Sequence, residues 1–403
     1  MSEGSFQFED CLLKHHVRVN GWLPLCKNRR DHINAGVASK HRRRLRYFTF
    51  CAVGAIDVLM LDVARVIIKS QEDTFDTVCF FDKDGQRVFD TQKRIPGAIG
   101  FVGDFVETVL ADDAEMIEEE AAADENENDP MAVKEAMDNA DVNDDDPLAP
   151  KEAEGDTKRT RERQRRLAER RDFIKQFPFD IINLDLEEFL FKPSDPMPGK
   201  VLNAMRRVFR WQRRLLRPPK REPQPIDGFS LMFTTQIGPP NLTSEYLDML
   251  RDVVVVNLND IADLGPMLSQ RGGVVDVARL ESVNFDLFFK LGMPKVIARA
   301  LMEEDWFVDP RVGIKLYEFE RQSRDGPYKM LHLVTDVMRQ SPPSHRRAPM
   351  TFAPAARQGY AEVVRALFQN SEVTVNDDTI DRESLQTHLD RIKARRKKYC
   401  PEE

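Results

Sequence analysis

The sequence predicts an α/β protein: a Rossmann-like, mostly parallel sheet with helices on both faces and a terminal antiparallel hairpin. Short apolar runs of strand length alternate with longer amphipathic runs, which is typical of parallel strands connected by helices. An Asp-Gly pair in SRDGP, from Ser323, separates two late strand-like runs and predicts the hairpin. A hydrophobic content of 41% over 403 residues is enough to form a large core.

Strand-like runs that precede the hairpin can be placed in order along the chain. The first begins at Tyr47 and is followed by AIDVLMLDVARVIIKS, whose apolar positions recur at the helical period. The later runs are Thr77–Asp82, a run that reaches Asp104, Phe179–Asp185 and a run from Gly228. Helical patterns follow the last two of these runs, in KVLNAMRRVFRWQRRLL and TSEYLDMLRDVVVV.

Charge is sorted along the chain and marks the domain boundaries. Residues 111–156 carry 19 acidic residues and two lysines, a local net charge of -17, while the whole chain carries -8 and the remainder therefore +9. A segment so acidic and without aromatic residues is predicted to be a disordered insertion. We therefore predict a basic N-terminal extension at 1–44, an α/β domain at 45–340 that contains the insertion, and a helical tail at 341–403.

The order of these elements resembles the class I S-adenosylmethionine-dependent methyltransferase fold. That family has a seven-stranded sheet whose last strand runs antiparallel to the others, and here strand–helix units are closed by a hairpin. The resemblance covers about Leu45 to Gln340 and rests on element order. It implies a divergent methyltransferase with S-adenosylmethionine as its cofactor.

The resemblance places the cofactor at the turn after the first strand. Glycines at such a turn let the backbone approach the cofactor closely, but CAVGAID has Gly54 alone. Phe50, Ala52 and Gly54 are the candidate contacts. A plain packed turn between strand and helix is the alternative.

Acidic residues follow the next two strands. The resemblance gives Asp82, at the end of CFFD, the role of accepting hydrogen bonds from the ribose hydroxyls. It places Asp104, in FVGDF, near the adenine amino group. The alternative for Asp82 is a simple Asp-Gly turn in DKDG.

Asn183 and Asp185, in NLDLEEF, are the candidate residues near the transferred methyl group. The prolines and the aromatic residue that nucleobase and protein N-methyltransferases show at this position are missing, and no Pro-Cys pair for cytosine methylation occurs. Nucleobase methylation is therefore disfavoured, and the acceptor stays open.

Basic runs with interleaved aromatic residues suggest an anionic partner, either nucleic acid or a protein. The candidate nucleic-acid-binding residues are Arg42, Arg43, Arg44, Arg207, Arg210 and Arg214. The alternative is that apolar residues of these segments pack on the sheet while the arginines face solvent or the acidic insertion.

Scattered cysteines and the absence of a signal peptide or apolar span predict a cytoplasmic protein with reduced thiols. Histidines and cysteines near the N-terminus could supply zinc ligands, but their spacing matches no standard finger, so we expect no metal. These residues are Cys11, His15, His16, Cys26 and His32.

The sequence thus supports two functions. The first is a divergent S-adenosylmethionine-dependent methyltransferase of unknown acceptor. The second is a catalytically silent subunit of the same fold that binds nucleic acid or a protein partner in a multicomponent bacterial system.

Overall fold

The structure is a computed structural model that describes residues 12–33, 35, 43–50, 55–67, 77–95, 97–111, 152–190, 199–215, 226–238, 242–260, 266, 277–309, 312–323, 326–339 and 374–399. Most of the acidic segment and the helical pattern predicted at 351–370 lie outside these ranges. The described residues form an α/β architecture in which helices flank a single sheet.

The sheet contains nine strands in the described part of the chain. They are β1 (Arg46–Thr49), β2 (Thr77–Asp82), β3 (Ile99–Val102), β4 (Ile181–Phe189), β5 (Gly228–Gln236), β6 (Trp306–Val308), β7 (Ile314–Ser323), β8 (Gly326–Arg339) and β9 (Thr374–Val375). Their order is β3-β2-β1-β4-β5-β8-β7-β9, with β6 paired to β8. The first five strands are parallel, whereas β8 is antiparallel to both β5 and β7. The predicted parallel sheet and antiparallel hairpin are confirmed, while β6 and β9 had not been predicted.

Helices connect and cover the strands. They are α1 (Leu12–Val17), α2 (Leu23–Ile33), α3 (Ile56–Val63), α4 (Gly85–Arg94), α5 (Phe105–Leu110), α6 (Glu152–Ile174), α7 (Lys200–Trp211), α8 (Ser244–Asp260), α9 (Val277–Val283), α10 (Phe285–Met302) and α11 (Arg382–Tyr399). A π-helical turn, Arg18–Trp22, joins α1 to α2. Within the described ranges no helix combines the length and apolar character needed to cross a membrane.

Side chains alternate between two hydrophobic cores on opposite faces of the sheet. On β1, Tyr47 packs in the core covered by α1–α4 and α11, which we call the N-terminal face. Its neighbour Phe48 packs in the second core, where its ring contacts Phe81, Phe105 and Phe173 at centroid distances of 5.0–6.2 Å. Burial on both faces explains why these strands read as continuous apolar runs.

The described part of the predicted N-terminal extension is integrated into the core. Trp22 is 1% exposed and Cys26 is fully buried. The Cys26 Sγ lies 3.9 Å from the Met232 Sδ on β5, and the Arg29 guanidinium donates to the carbonyl oxygen of Gly228. The segment from α1 to α2 therefore crosses the N-terminal face of the sheet.

The basic helix α7 is strongly amphipathic. Its buried positions recur every three or four residues, which places them on one face of the helix. They are Val201, Leu202, Ala204, Met205, Val208, Phe209 and Trp211. Packing of this apolar face on the sheet stabilises the helix, and the arginines are left on the other side. Of the two leucines expected to pack with them, Leu215 is 46% exposed, and Leu216 lies outside the described residues.

Candidate functional site

The strand order reverses between β1 and β4, whose carboxyl ends lie side by side at one edge of the sheet. In open α/β sheets such a reversal forms the crevice where ligands bind. Of the candidate cofactor contacts at this edge, Ala52 and Gly54 lie outside the described residues. The ring of Phe50 packs against Phe48 and Phe105 at centroid distances of 5.6 and 4.9 Å, so it belongs to the aromatic core.

Backbone strain is present where the chain leaves this turn. Ala55, directly before α3, is buried and has φ 46° and ψ 33° in the left-handed region. A residue with a Cβ rarely adopts this conformation, and strain of this kind clusters at functional sites. Ala55 thus begins α3 in a strained conformation.

Asp82 ends β2 at the same edge and is half-buried. Its Oδ1 accepts the N–H of Asp84 at 2.9 Å, and its carbonyl oxygen accepts the N–H of Gly103 at 2.9 Å. Burial raises the pKa of the Asp82 carboxyl. Among the described residues, no lysine or arginine forms an ion pair with it, so the carboxylate remains available at the crevice.

Asp104 is held by its own chain. Its side chain caps α5 by accepting the N–H of Glu107 at 3.0 Å, and the Lys83 ammonium lies 2.8 Å from its other oxygen. Burial opposes ionisation, but the hydrogen bonds from Lys83 and Glu107 outweigh it and lower the pKa of Asp104. These contacts explain this acid as a helix cap.

Asn183 belongs to a buried polar network on the N-terminal face. Its amide nitrogen donates to the hydroxyls of Tyr47 and Thr49, both at 3.2 Å. Both hydroxyls donate to the Oδ2 of Asp57 on α3 at 2.7 Å. The network ties β1, β4 and α3 together, while the Asn183 Oδ1 has no hydrogen-bond partner among the described residues.

Asp185 forms a buried ion pair with the N-terminal helix. The Lys14 Nζ lies 2.6 Å from its Oδ2, and the two side chains are 5% and 11% exposed. Burial acts to raise the pKa of Asp185, but the positive charge of Lys14 outweighs it and lowers the pKa to about 2. The second oxygen, Oδ1, is buried with no hydrogen-bond partner in the described part of the chain.

A row of polar side chains extends from Asp185 across the sheet. Asp185 is in register with Thr234 on β5, which is in register with His332 on β8. The Thr234 hydroxyl lies 2.7 Å from the His332 Nδ1, and the imidazole is fully buried between the rings of Phe319 and Trp22. Burial lowers the pKa of His332 to about 3, so the ring is neutral at pH 7.

The arginines proposed to bind nucleic acid differ in their surroundings. Arg43 donates to Asp180 at 2.8 Å, Arg207 to the carbonyl oxygen of Val109, and Arg210 to Glu304 at 3.0 Å. By contrast, Arg44 and Arg214 are exposed, and Arg42 lies outside the described residues. Nucleic-acid binding by these residues stays a prediction.

The residues weighed as zinc ligands are dispersed. Cys26 is buried against Met232, and burial raises the pKa of its thiol. The His15 Nε2 lies 3.1 Å from the His388 Nδ1 on α11, and His32 pairs with Asp227 at the other end of the sheet. Cys11 lies outside the described residues. Within those ranges, no group of three or more His, Cys, Asp or Glu side chains is arranged to hold a metal ion.

Several residues near Asp185 were not predicted as site residues from the sequence. They are Lys14, Arg18, Trp22, Thr234 and His332. A signal was present for His332, which interrupts the apolar run MLHLV. A charged or polar residue within a buried stripe indicates a specific partner.

Comparison with known proteins gives no relative: no family model, no curated protein and no solved structure matches this chain.

Proposed function

We propose that this protein is a divergent S-adenosylmethionine-dependent methyltransferase of unknown acceptor. The strand order supports the proposal, because the strand β8 runs antiparallel to the five parallel strands before it, as the last strand does in that family. Fold alone does not imply activity, so the proposal depends on the residues at the site.

The observation that carries the proposal is the position of Asp82. It ends β2 beside the reversal in strand order, with a half-buried carboxylate held in a turn by the N–H of Asp84. A carboxylate fixed at this edge is suited to accept hydrogen bonds from the two hydroxyls of a ribose. The strained backbone at Ala55 supports a specialised turn beside it.

Methyl transfer needs little acid–base chemistry, because the sulfonium is a good leaving group. Bound S-adenosylmethionine would supply the methyl group, with neutral S-adenosylhomocysteine as the departing thioether. Catalysis then depends mainly on positioning the acceptor. Asn183 and Asp185 are the positioning residues in this proposal.

Calorimetric titration of the full chain with S-adenosylmethionine and S-adenosylhomocysteine tests the proposal. We expect binding at sub-millimolar concentration and a loss of about tenfold or more in affinity for Asp82→Ala, because a hydrogen bond to a charged group is removed. Asp84→Asn is the matched control, since asparagine preserves the helix cap. Absence of binding by the wild-type protein, or equal binding by Asp82→Ala, would contradict it.

A catalytically silent subunit of the same fold is the second candidate, and the Lys14–Asp185 ion pair favours it. The Lys14 ammonium pairs with one oxygen of Asp185, the carboxylate that is proposed to position the methyl acceptor. On this alternative, cofactor binding is absent or is not followed by methyl transfer, and the basic segments bind nucleic acid or a protein. Transfer of a labelled methyl group to any fraction of a bacterial lysate would exclude it.

A further inference from the structure

We infer that the buried cluster between the π-helical turn and the sheet is a binding site for a small amino acid or a similar zwitterion. The cluster consists of Arg18, Trp22, Asn183, Asp185 and His332, together with Lys14. The inference concerns binding alone and does not depend on methyl transfer by this protein.

Unpartnered polar atoms in one place carry the inference. The Trp22 Nε1, the Asn183 Oδ1 and the His332 Nε2 belong to side chains that are at most 1% exposed, and none has a hydrogen-bond partner in the described residues. The Asp185 Oδ1 and the Arg18 Nε are likewise buried atoms that have no hydrogen-bond partner in the described residues. A buried polar group without a partner destabilises a fold by about 1–3 kcal/mol, so a concentration of such groups favours the binding of a polar ligand or water.

These side chains are neighbours. Asp185, Thr234 and His332 lie in register on adjacent strands, and the Trp22 ring centroid lies 5.8 Å from that of His332. The Arg18 guanidinium carbon lies 5.6 Å from the centroid of the Trp22 ring. Asp185, His332, Trp22 and Arg18 therefore form one group, and Asn183 lies two residues before Asp185 on the same strand.

The helix above the cluster has an unusual geometry. Arg18 and Trp22 begin and end the π-helical turn, and Gly21 within it lies against Tyr317 of β7. A Cβ at Gly21 would lie 2.8 Å from the Tyr317 ring, so glycine is needed for this approach. π-Helical turns inside α-helices occur frequently at functional sites, and this turn presents both unpartnered N–H groups.

Charge and hydrogen-bonding capacity define the ligand. Lys14 and Arg18 bring two positive charges and Asp185 one negative charge, while the His332 ring is neutral at pH 7. The guanidinium charge of Arg18 and the N–H groups of Arg18 and Trp22 favour a carboxylate. The unpartnered oxygens of Asp185 and Asn183 favour an ammonium group. A molecule that carries both groups, as an amino acid does, satisfies both sets.

Thermal unfolding of the full chain in the presence of each of the twenty common L-amino acids, followed by calorimetry, tests the inference. We expect at least one of them to raise the melting temperature, whereas acetate and ethylamine, each carrying one of the two groups, do not. No shift with any amino acid would overturn the inference. A crystal structure of the freshly purified protein with ordered water alone at these atoms, together with no shift, would identify the occupant as water.

Paired tryptophan variants provide the control. Trp22→Phe keeps an aromatic ring but removes the N–H with the five-membered ring, and we expect it to weaken amino-acid binding about tenfold or more. Trp306→Phe removes an N–H that donates to the carbonyl oxygen of Phe209 at 2.8 Å in the other core, and it should leave binding unchanged. Equal effects of the two variants would overturn the inference.

A competition experiment separates a free amino acid from the amino-acid end of the cofactor. We expect S-adenosylhomocysteine to leave amino-acid affinity unchanged. Direct competition, with Trp22→Phe weakening both ligands, would assign the cluster to the cofactor and overturn the inference of a separate ligand. Failure of the proposed methyltransferase function would show instead as absent cofactor binding with amino-acid binding intact.

Discussion

The Lys14 ammonium lies 2.6 Å from a carboxylate oxygen of Asp185, and both side chains are almost completely buried. This contact joins the N-terminal helix to the middle of β4. The ion pair holds the Asp185 Oδ2, in a residue proposed to position the methyl acceptor. The Asp185 Oδ1 has no hydrogen-bond partner in the described residues and belongs to the proposed amino-acid site.

Removing either partner of this pair should destabilise the fold strongly. We expect Lys14→Met and Asp185→Asn each to lower the free energy of unfolding by about 3–5 kcal/mol, because the buried ion pair is lost and, in Lys14→Met, the Asp185 carboxylate also loses its cation. Urea denaturation measures the change. Asp172→Asn is the control, since the exposed Asp172–Lys175 pair should contribute less than about 1 kcal/mol. Similar losses in the control and the buried variants would contradict the assignment.

The two buried tryptophans should respond differently to removal of their N–H groups. In the absence of ligand, Trp22→Phe removes an N–H with no described partner, so its cost is only that of the smaller side chain in the core. Trp306→Phe leaves the carbonyl oxygen of Phe209 without its donor and should add about 1–3 kcal/mol of destabilisation beyond that. Chemical denaturation compares the two variants, and a larger loss for Trp22→Phe would contradict the described hydrogen bonding.

Acidification should destabilise the protein through His332. The folded-state pKa is lowered from 6.5 to about 3 by burial, so the unfolded chain binds a proton at pH values where the folded chain does not. Stability from this group is complete above pH 6.5 and declines as the pH falls toward 3, by about 1.4 kcal/mol per pH unit. His332→Asn, which does not titrate, should show a shallower decline between pH 6.5 and 5 in denaturation curves. An unchanged slope would show that other groups dominate.

Arg210 on α7 and Arg214, which follows the helix, should differ in their effect on stability. Arg210→Gln leaves the nearly buried carboxylate of Glu304 without its cation and should lower the free energy of unfolding by about 1–3 kcal/mol. Arg214→Gln, at an exposed position, should change it by less than about 0.5 kcal/mol. If the basic segments bind nucleic acid, Arg214→Gln should reduce the salt slope of binding by about 1. An unchanged slope would remove Arg214 from the interface.

Much of the fold could be predicted from the sequence, because strand runs, helical periodicity and turn chemistry are local properties. Thr77–Asp82 is a strand whose limits follow its apolar run, and the Asp-Gly pair near Gly326 marks the hairpin. Short strands such as Thr374–Val375 carry no local pattern, and their place in the sheet depends on pairing with β7.

For this protein, the sequence by itself determined the alternation of strands and helices and the position of Asp82 at a strand end. It also predicted Asn183 and Asp185 at a strand end, which is wrong, because β4 continues to Phe189 and both residues lie within it. Only the tertiary structure decided that Lys14 meets Asp185 and that Trp22 packs beside His332. The physical reason is that local patterns specify periodicity and turns, whereas contacts between distant residues depend on strand register and on where the N-terminal helix crosses the sheet.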